Sequence, residues 1–447
     1  MNIRLRSMGT SMVLEAEKVR ADPRGYHGTY KGIRIINKKV MEGIMSPEGA
    51  VSYNKKSVTD VDVAGKKVLL RCDFNVPIDK ETGKIRDEGR IVAALPTIEY
   101  LLEHNAAIIA CSHFGRPKGE FKPEFSLAPV AESLSKHLGK PVKMAKDVIG
   151  PDAAGLADGL KPGEVMLLEN TRFHAEEEKN DPEFAGKLAG MADLFVSDAF
   201  GSVHRAHAST EGVSHYLPAV SGFLLKKELD HIGGAISNPK RPLVAILGGA
   251  KVSDKLGVIS NLLKISDAII IGGGMAYTFF KAEGGKIGNS LCEDNEFESV
   301  LKCKEEAKTR GVKLLLPVDS IAGSEFSNDV DPVTLNSDDI PDGMMAMDIG
   351  PRATAEYTKE IAGAGTIVWN GPMGVFEFPK FAEGTRAVAE TVAKSNAISI
   401  IGGGDSAAAV RKFGVADKIT HISTGGGASL EFMEGKVLPG IACLLDA

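Results

Sequence analysis

Six apolar runs punctuate the second half of the chain, and each ends in glycine or in small polar residues. Val244-Ala245-Ile246-Leu247 runs into Gly248-Gly249-Ala250-Lys251, and Ile269-Ile270-Ile271 into Gly272-Gly273-Gly274. Leu314-Leu315-Leu316 runs into Pro317-Val318-Asp319, and Ile367-Val368-Trp369 into Asn370-Gly371-Pro372. Ile398-Ser399-Ile400-Ile401 leads to Gly402-Gly403-Gly404-Asp405, and Ile422-Ser423-Thr424 to Gly425-Gly426-Gly427. Such runs predict strands of a parallel sheet whose carboxyl edge is stripped of side chains. Ligands of open α/β sheets bind at that edge. Glycine there lets backbone N–H groups approach phosphate oxygens, and the next helix turns its positive end toward them. The pattern describes a surface for a polyanion.

The first half has the same rhythm. Strand-like runs cover Lys67–Asn75, Ala106–His113, Val165–Phe173 and Leu194–Phe200, with helical spacing between them, as at Arg90–His104 and Leu127–Leu138. Strand–helix alternation implies βαβ units and mainly parallel sheets. Leu224–Ser237 reads as a helix that stops before Asn238-Pro239, and a second alternating series runs from Arg241 to Thr424. A chain of 447 residues is also too long for one ordinary core. The fold class is therefore α/β, with one domain over residues 55–223, a connecting helix at 224–238, and a second domain over 239–427.

Residues 1–54 read as an N-terminal extension outside this body, either non-native or disordered. Its first forty residues hold nine Lys or Arg against three acids. That composition fits a transit peptide, although Glu15, Glu17 and Asp22 sit inside it. The alternative is a native bacterial start at Met45, because Glu42-Gly43 could be encoded by a purine-rich ribosome-binding sequence.

Composition narrows the function. A net charge of −6 argues against a nucleic-acid partner. No apolar stretch approaches the roughly 18–20 residues of a membrane span. The five cysteines, Cys72, Cys111, Cys292, Cys303 and Cys443, are scattered and odd in number, as expected for free thiols in a reducing compartment.

The two halves differ in chemistry. Strand exits of the first half carry cations: Arg71 near Asp73 and Asn75, His113 near Arg116, Arg172 near His174, and His204-Arg205-Ala206-His207 after Asp198. Arg90 opens a helix. Arginine stays charged and grips carboxylate and phosphate bidentately. Five arginines at one sheet edge predict a pocket for a small, highly anionic substrate.

In the second half, Lys251 and Lys255 follow the first glycine exit, and spacing of four predicts one helical face. Asp405 suits Mg²⁺, which takes oxygen ligands and often combines one protein carboxylate with phosphates; Ser406 and the nearby N–H groups would meet phosphate oxygens. Glu377 could accept from ribose hydroxyls. The chain lacks GxxxxGK[ST] and the HRD and DFG motifs. Gly402-x-Gly404-x-x-Ala407 matches a dinucleotide fingerprint, but it sits late in the chain, and Asp417 falls on a polar stretch before the next strand.

Seven segments together carry a resemblance: Arg71-Cys72-Asp73-Phe74-Asn75-Val76-Pro77, Ser112-His113-Phe114-Gly115-Arg116-Pro117, Leu168-Glu169-Asn170-Thr171-Arg172-Phe173, Asp198-Ala199-Phe200-Gly201 through His204-Arg205-Ala206-His207, Leu247-Gly248-Gly249-Ala250-Lys251-Val252, Trp369-Asn370-Gly371-Pro372-Met373-Gly374-Val375-Phe376-Glu377 and Gly402-Gly403-Gly404-Asp405. In this order, and from about Lys55 onward, the chain resembles the phosphoglycerate kinases. Small departures are Ser406, Cys72 and Phe114, where threonine, valine and leucine are common.

The resemblance implies ATP formation from 1,3-bisphosphoglycerate and MgADP, with 3-phosphoglycerate as the other product, and the reverse reaction. It implies two Rossmann-like three-layer αβα domains joined by a hinge helix, with residues after about 428 returning to the first domain. A monomer in the cytoplasm is expected, or in an organelle if residues 1–54 are a transit peptide. It places Asp73, Asn75, Arg90, His113, Arg116, Arg172 and Arg205 on the triose ligand. Arg90 and Lys251 fall on the moving phosphoryl group, with Gly404 and Gly427 near it, and Gly425 and Gly426 in the same loop. Lys255, Gly248, Gly249, Gly273, Asn370, Pro372, Gly374, Glu377, Gly403 and Ser406 fall on the nucleotide, and Asp405 on Mg²⁺.

Overall fold

The computed structural model describes residues 3–8, 11–16, 54–79 and 81–447. The chain divides into two units, Met1–Ser52 and Tyr53–Ala447. In the first, Ile3–Met8 and Ser11–Ala16 pair antiparallel, with Ile3 opposite Ala16 and Met8 opposite Ser11. The short apolar runs of this segment do not announce that hairpin. The proposed start at Met45 lies outside the described residues.

The second unit contains two six-stranded sheets, both parallel throughout. The first is built from β1 (Lys67–Arg71), β2 (Ala107–Cys111), β3 (Val142–Met144), β4 (Val165–Leu167), β5 (Leu194–Ser197) and β6 (Ala219–Ser221), in the order β3-β4-β2-β1-β5-β6. The second is built from β7 (Leu243–Leu247), β8 (Ala268–Ile271), β9 (Lys313–Leu315), β10 (Thr366–Asn370), β11 (Ile398–Gly402) and β12 (His421–Ile422), in the order β9-β8-β7-β10-β11-β12. The six glycine-ended runs are the six strands of this sheet. Strand order reverses between β1 and β5 and between β7 and β10, so each sheet has a switch point where side chains can gather over its carboxyl edge.

A three-stranded antiparallel sheet, ordered Val333–Asn336, Asp319–Gly323, Met345–Ile349, interrupts the second series. The sequence pattern takes Leu314–Asp319 as one strand and its exit. In the structure the strand stops at Leu315, and Asp319 opens the antiparallel sheet.

Helix α1 (Gly89–Glu103) buries Ile91, Ala94, Ile98 and Leu101, a helical stripe, against the first sheet. The connecting helix begins as α2 (Phe223–Glu228), passes through a π turn at Leu229–Gly233 and ends at Gly234–Ser237, ahead of Asn238-Pro239. Its Leu225, Leu229, Ile232 and Ala235 belong to one buried cluster that holds Leu69 and Phe195 of the first sheet and Ala245 and Leu247 of the second. The apolar core therefore runs without a break from one sheet to the other through this helix. Beyond it lie α3 (Leu256–Leu262), α4 (Gly404–Lys412) and α5 (Gly427–Met433). The chain's last residues pack on the first sheet: Gly440 N–H donates to Val203 O at 2.9 Å, and Leu445 N–H to Ala219 O at 2.9 Å.

Candidate active site

The loops that leave β1, β2, β4 and β5 converge on a cleft of about 320 Å³. Asp73, Asn75, Arg90, His113, Arg116, Arg172 and Arg205 all line it, and its far wall is Thr424-Gly425-Gly426-Gly427. Short polar contacts set these side chains. Arg90 Nη1 donates to Asp73 Oδ1 at 2.6 Å. Asn75 Oδ1 accepts from Gly115 N–H at 2.9 Å, and Arg172 Nη1 donates to Gly115 O at 2.9 Å. Arg172 also meets Glu178 at 3.1 Å and is buried, whereas the Arg90 side chain is 45% exposed.

Arg71 departs from the sequence reading. It is buried and does not line the cleft. Its guanidinium donates to Ser209 Oγ at 2.8 Å, to the Cys72 carbonyl, and to His113 Nδ1 at 3.2 Å. Ser209 Oγ in turn donates to Glu177 Oε1 at 2.5 Å. Arg71 therefore positions His113 instead of facing the substrate. Burial and then the Arg71 and Arg172 charges hold the His113 pKa well below its ordinary value. A neutral ring that accepts at Nδ1 carries its proton on Nε2, so His113 offers the cleft a hydrogen-bond donor. Burial and the same arginines lower His207 to about 4.

The glycine exits of the second sheet divide into two kinds. At the β7/β10 switch point they serve close approach between chain segments. Gly248 N–H donates to Asn370 O at 3.0 Å, Gly249 N–H to Pro372 O at 3.1 Å, and Gly273 N–H to Met373 O at 2.9 Å. A Cβ on Gly248 would lie 2.0 Å from Pro372 O. Those N–H groups are engaged; the surface left for a ligand is side-chain-free Cα. At the β11 and β12 exits the glycines lead straight into α4 and α5, whose first-turn N–H groups have no intrahelical acceptor. Gly404, Asp405, Gly426 and Gly427 are exposed there.

Ser406 is buried and its Oγ accepts from Gly371 N–H at 2.6 Å, which ties α4 to the β10 exit. At the far end of α4, Lys412 Nζ donates to Phe376 O at 2.8 Å and Glu377 O at 3.3 Å, so the same helix braces the loop of Gly374 and exposed Glu377. Lys255 donates to Asn370 Oδ1, and burial lowers its pKa. Lys251 is exposed. The expected shared helical face is not formed: Lys251 lies in the loop, Ser253–Lys255 is a turn, and α3 starts at Leu256. Glu293 holds this turn open by accepting from Ser253 N–H at 3.0 Å and Ser253 Oγ at 2.6 Å.

The dinucleotide-like glycines follow β11, which is one strand from the sheet edge and not the opening strand, and Asp417 lies in the short 3₁₀ turn Ala416–Lys418. Neither position suits that fingerprint.

Residues the motifs did not single out connect the parts. Glu228 of α2 accepts from Thr424 N–H at 2.8 Å and Thr424 Oγ1 at 3.0 Å, and its other oxygen meets His421 Nε2 at 2.7 Å. A second cleft of about 420 Å³ adjoins the first and shares Asp73, Arg90, Gly201, Thr424 and Gly426 with it; Asp198, Leu224, Gly403, Gly404 and Arg411 are among its other walls. Lys251, Lys255, Asn370 and Glu377 line neither cleft. Among the described residues no helix is long and apolar enough to cross a membrane. All five cysteines are unpaired, with Cys72, Cys111 and Cys303 buried.

Known proteins match this architecture over most of its length. The family model described as phosphoglycerate kinase matches residues 58–436. The phosphoglycerate kinase of Clostridium novyi (strain NT) is 57% identical over 399 residues, covering 89% of this chain and 100% of the relative. That of Clostridium tetani is 54% identical, covering 89% and 99%. The solved structure of phosphoglycerate kinase from Coxiella burnetii superposes with a TM-score of 0.82 at 45% identity, covering 87% of this chain and 98% of that one. The enzyme from Pyrococcus horikoshii OT3 gives 0.72 at 34% identity with the same coverage. By its sequence and by both sheets, the chain belongs to the phosphoglycerate kinase family.

Proposed function

We propose that this chain is a phosphotransferase with a carboxyl group as acceptor, moving a phosphoryl group reversibly between 1,3-bisphosphoglycerate and MgADP to give 3-phosphoglycerate and MgATP. The observation that carries this reading is the cleft that gathers Arg90, Arg116, Arg172, Arg205 and the His113 donor opposite the side-chain-free Gly425–Gly427 loop. Four guanidinium groups around so small a volume suit a ligand with several negative charges and no large apolar part. Asp73 and Asn75 orient Arg90 and the Gly115 turn, and leave acceptor capacity for the ligand's hydroxyl.

The nucleotide lies along the exits of the second sheet. Its base and ribose pass Gly248, Gly249, Gly273, Pro372, Gly374 and Glu377, and its phosphates meet Lys251, Lys255, Asn370, Gly403, Gly404 and Ser406. Asp405 fits Mg²⁺: it is an exposed carboxylate in the first turn of α4, beside the phosphate path, and one protein carboxylate with phosphates and water completes an oxygen shell. Mg²⁺, when bound, neutralises phosphate charge. Arg90 and Lys251 hold the transferring group between the substrates, with the N–H groups near Gly404 and Gly427 on either side.

An acyl phosphate is already activated, so no covalent enzyme intermediate is required, and the carboxylate leaving group needs no strong general acid. In-line alignment and charge neutralisation carry the catalysis. Closure of the two lobes about the connecting helix brings the ligands together and keeps water out. The lobes are residues 55–223 with about 428–447, and 239–427. The protein acts as a monomer in the cytoplasm.

A coupled assay with 3-phosphoglycerate and MgATP, run on the full chain and on the chain without residues 1–54, tests the reading. Turnover in both is expected; folded protein inactive in both forms would overturn it.

A further inference from the structure

Asp198, at the end of β5, is 1% exposed, yet it is one of the walls of the second cleft. Its Oδ1 accepts from Leu225 N–H at 3.1 Å, in the first turn of the connecting helix. Oδ2 is buried with no partner. Thr97 is fully buried on α1, and its Oγ1 accepts from Phe223 N–H at 2.9 Å. Seven residues separate Thr97 from Arg90, so both lie on nearly the same face of α1, about two turns apart. One buried Thr–Asp pair thus joins three elements: the helix that presents Arg90, the strand end between the two clefts, and the start of the helix that carries the second lobe.

We propose that Asp198 and Thr97 form a positioning pair, which fixes the first turn of the connecting helix to the helix of Arg90 so that lobe closure delivers the second lobe in register with that arginine. Each feature of the site fits this role. The bonded N–H groups belong to Phe223 and Leu225, two of the first-turn donors that a helix cannot satisfy for itself. The pair sits where a small tilt is amplified, because the second sheet follows the helix directly. A buried carboxyl with one orphaned oxygen is expensive to retain for stability alone. Burial pushes it up to about 6. Misplacing reacting groups by about 1 Å can cost about a hundredfold in rate without changing the contacts that bind each substrate.

The proposal rests on the kinase reading above, and the test separates the two. Asp198→Asn and Thr97→Val remove the acid and the hydroxyl with little change in volume, and Thr97→Ser keeps the hydroxyl. Each is assayed with 3-phosphoglycerate and MgATP, and its compaction on adding both substrates is followed by small-angle X-ray scattering. The expected result is a kcat about tenfold lower for Asp198→Asn and Thr97→Val, KM values for both substrates within twofold of wild type, weakened compaction, and recovery of kcat in Thr97→Ser. Wild-type kcat and compaction in both Asp198→Asn and Thr97→Val would overturn the pair. So would a loss of activity that only tracks unfolded protein, with the remaining folded fraction fully active. A wild-type protein without turnover would instead sink the kinase reading.

Discussion

At the carboxyl edge of the first sheet the loops carry Arg90, Arg116, Arg172 and Arg205; at that of the second they carry Gly248, Gly273, Gly403 and Gly426. In the function proposed above, both edges serve anions. The first does so with side-chain charge, and its fold must hold each guanidinium apart from its neighbours, as Glu178 does for Arg172 and Asp73 for Arg90. The second does so with backbone, and its fold must bring chain segments so close that no side chain fits. Charge chemistry therefore fails by substitution of one group at a time, whereas backbone chemistry fails by loss of the loop.

Arg90→Ala should sharpen that contrast most. The side chain is half-exposed, so the fold should survive, with Tm within a few degrees of wild type. Loss of a donor to transferring charge should lower kcat about a thousandfold, or about 4 kcal/mol. Near-normal turnover in the coupled assay would break the assignment. Gly248→Ala is the counterpart on the second sheet. A methyl group 2.0 Å from Pro372 O forces β7 and β10 apart, and a destabilisation of about 3 kcal/mol is expected in urea unfolding. Gly404→Ala meets nothing within 4 Å and has no strained φ. It should leave stability unchanged and raise KM for MgATP about tenfold by shielding the first-turn N–H groups of α4. Equal effects of the two glycine variants on stability would erase the distinction between packing exits and ligand exits.

The remaining effects concern pH, and they run in opposite senses in the two lobes. Burial raises Asp348, beside Gly374 and Gly384, to about 8. The native state keeps a proton there that the unfolded chain releases above about pH 4. Its contribution to stability is therefore greatest below that value and is lost as pH rises toward 8, by at most about 1.4 kcal/mol per unit. Asp348→Asn should flatten this slope in unfolding curves taken at pH 5, 7 and 9. In the first lobe His207 is lowered to about 4. Its neutral form contributes stability above pH 6.5 that is lost as pH falls toward 4, and His207→Gln should reduce that acid loss. Because the ring is only partly buried, the shift should be the weaker of the two.

Much of this was legible from the chain. The six glycine-ended runs are all strands of one sheet because a parallel strand buried on both faces must be continuously apolar. β3 and β6 were not read, since Val142-Lys143-Met144 and Ala219-Val220-Ser221 hold no apolar run that stands out from their surroundings. The antiparallel sheet was missed because Pro317-Val318-Asp319 looks like an exit when only the apolar run is followed. The motifs marked which residues gather at the cleft, but a motif has no depth. It could not say that Arg71 turns inward to His113, that Ser406 faces Gly371, or that Glu293, forty residues from Ser253, sets the turn after Lys251. Glu228 and Thr97 gave no signal beyond an ordinary polar residue near a helix, and Asp198 stood in a motif without a role, because their importance lies in partners distant along the chain.

The closing residues also bear on how the protein is made. Leu445 bonds to β6, Gly440 to the loop after β5, and Lys55 to Asp446 at 2.7 Å. The first lobe is thus sealed by a segment that follows every strand of the second sheet. During translation the second lobe has all its strands in hand first, while the arginine-lined lobe waits for residues 428–447, which are made after them. A nascent chain stalled before residue 428 should present a protease with a lobe still unsealed.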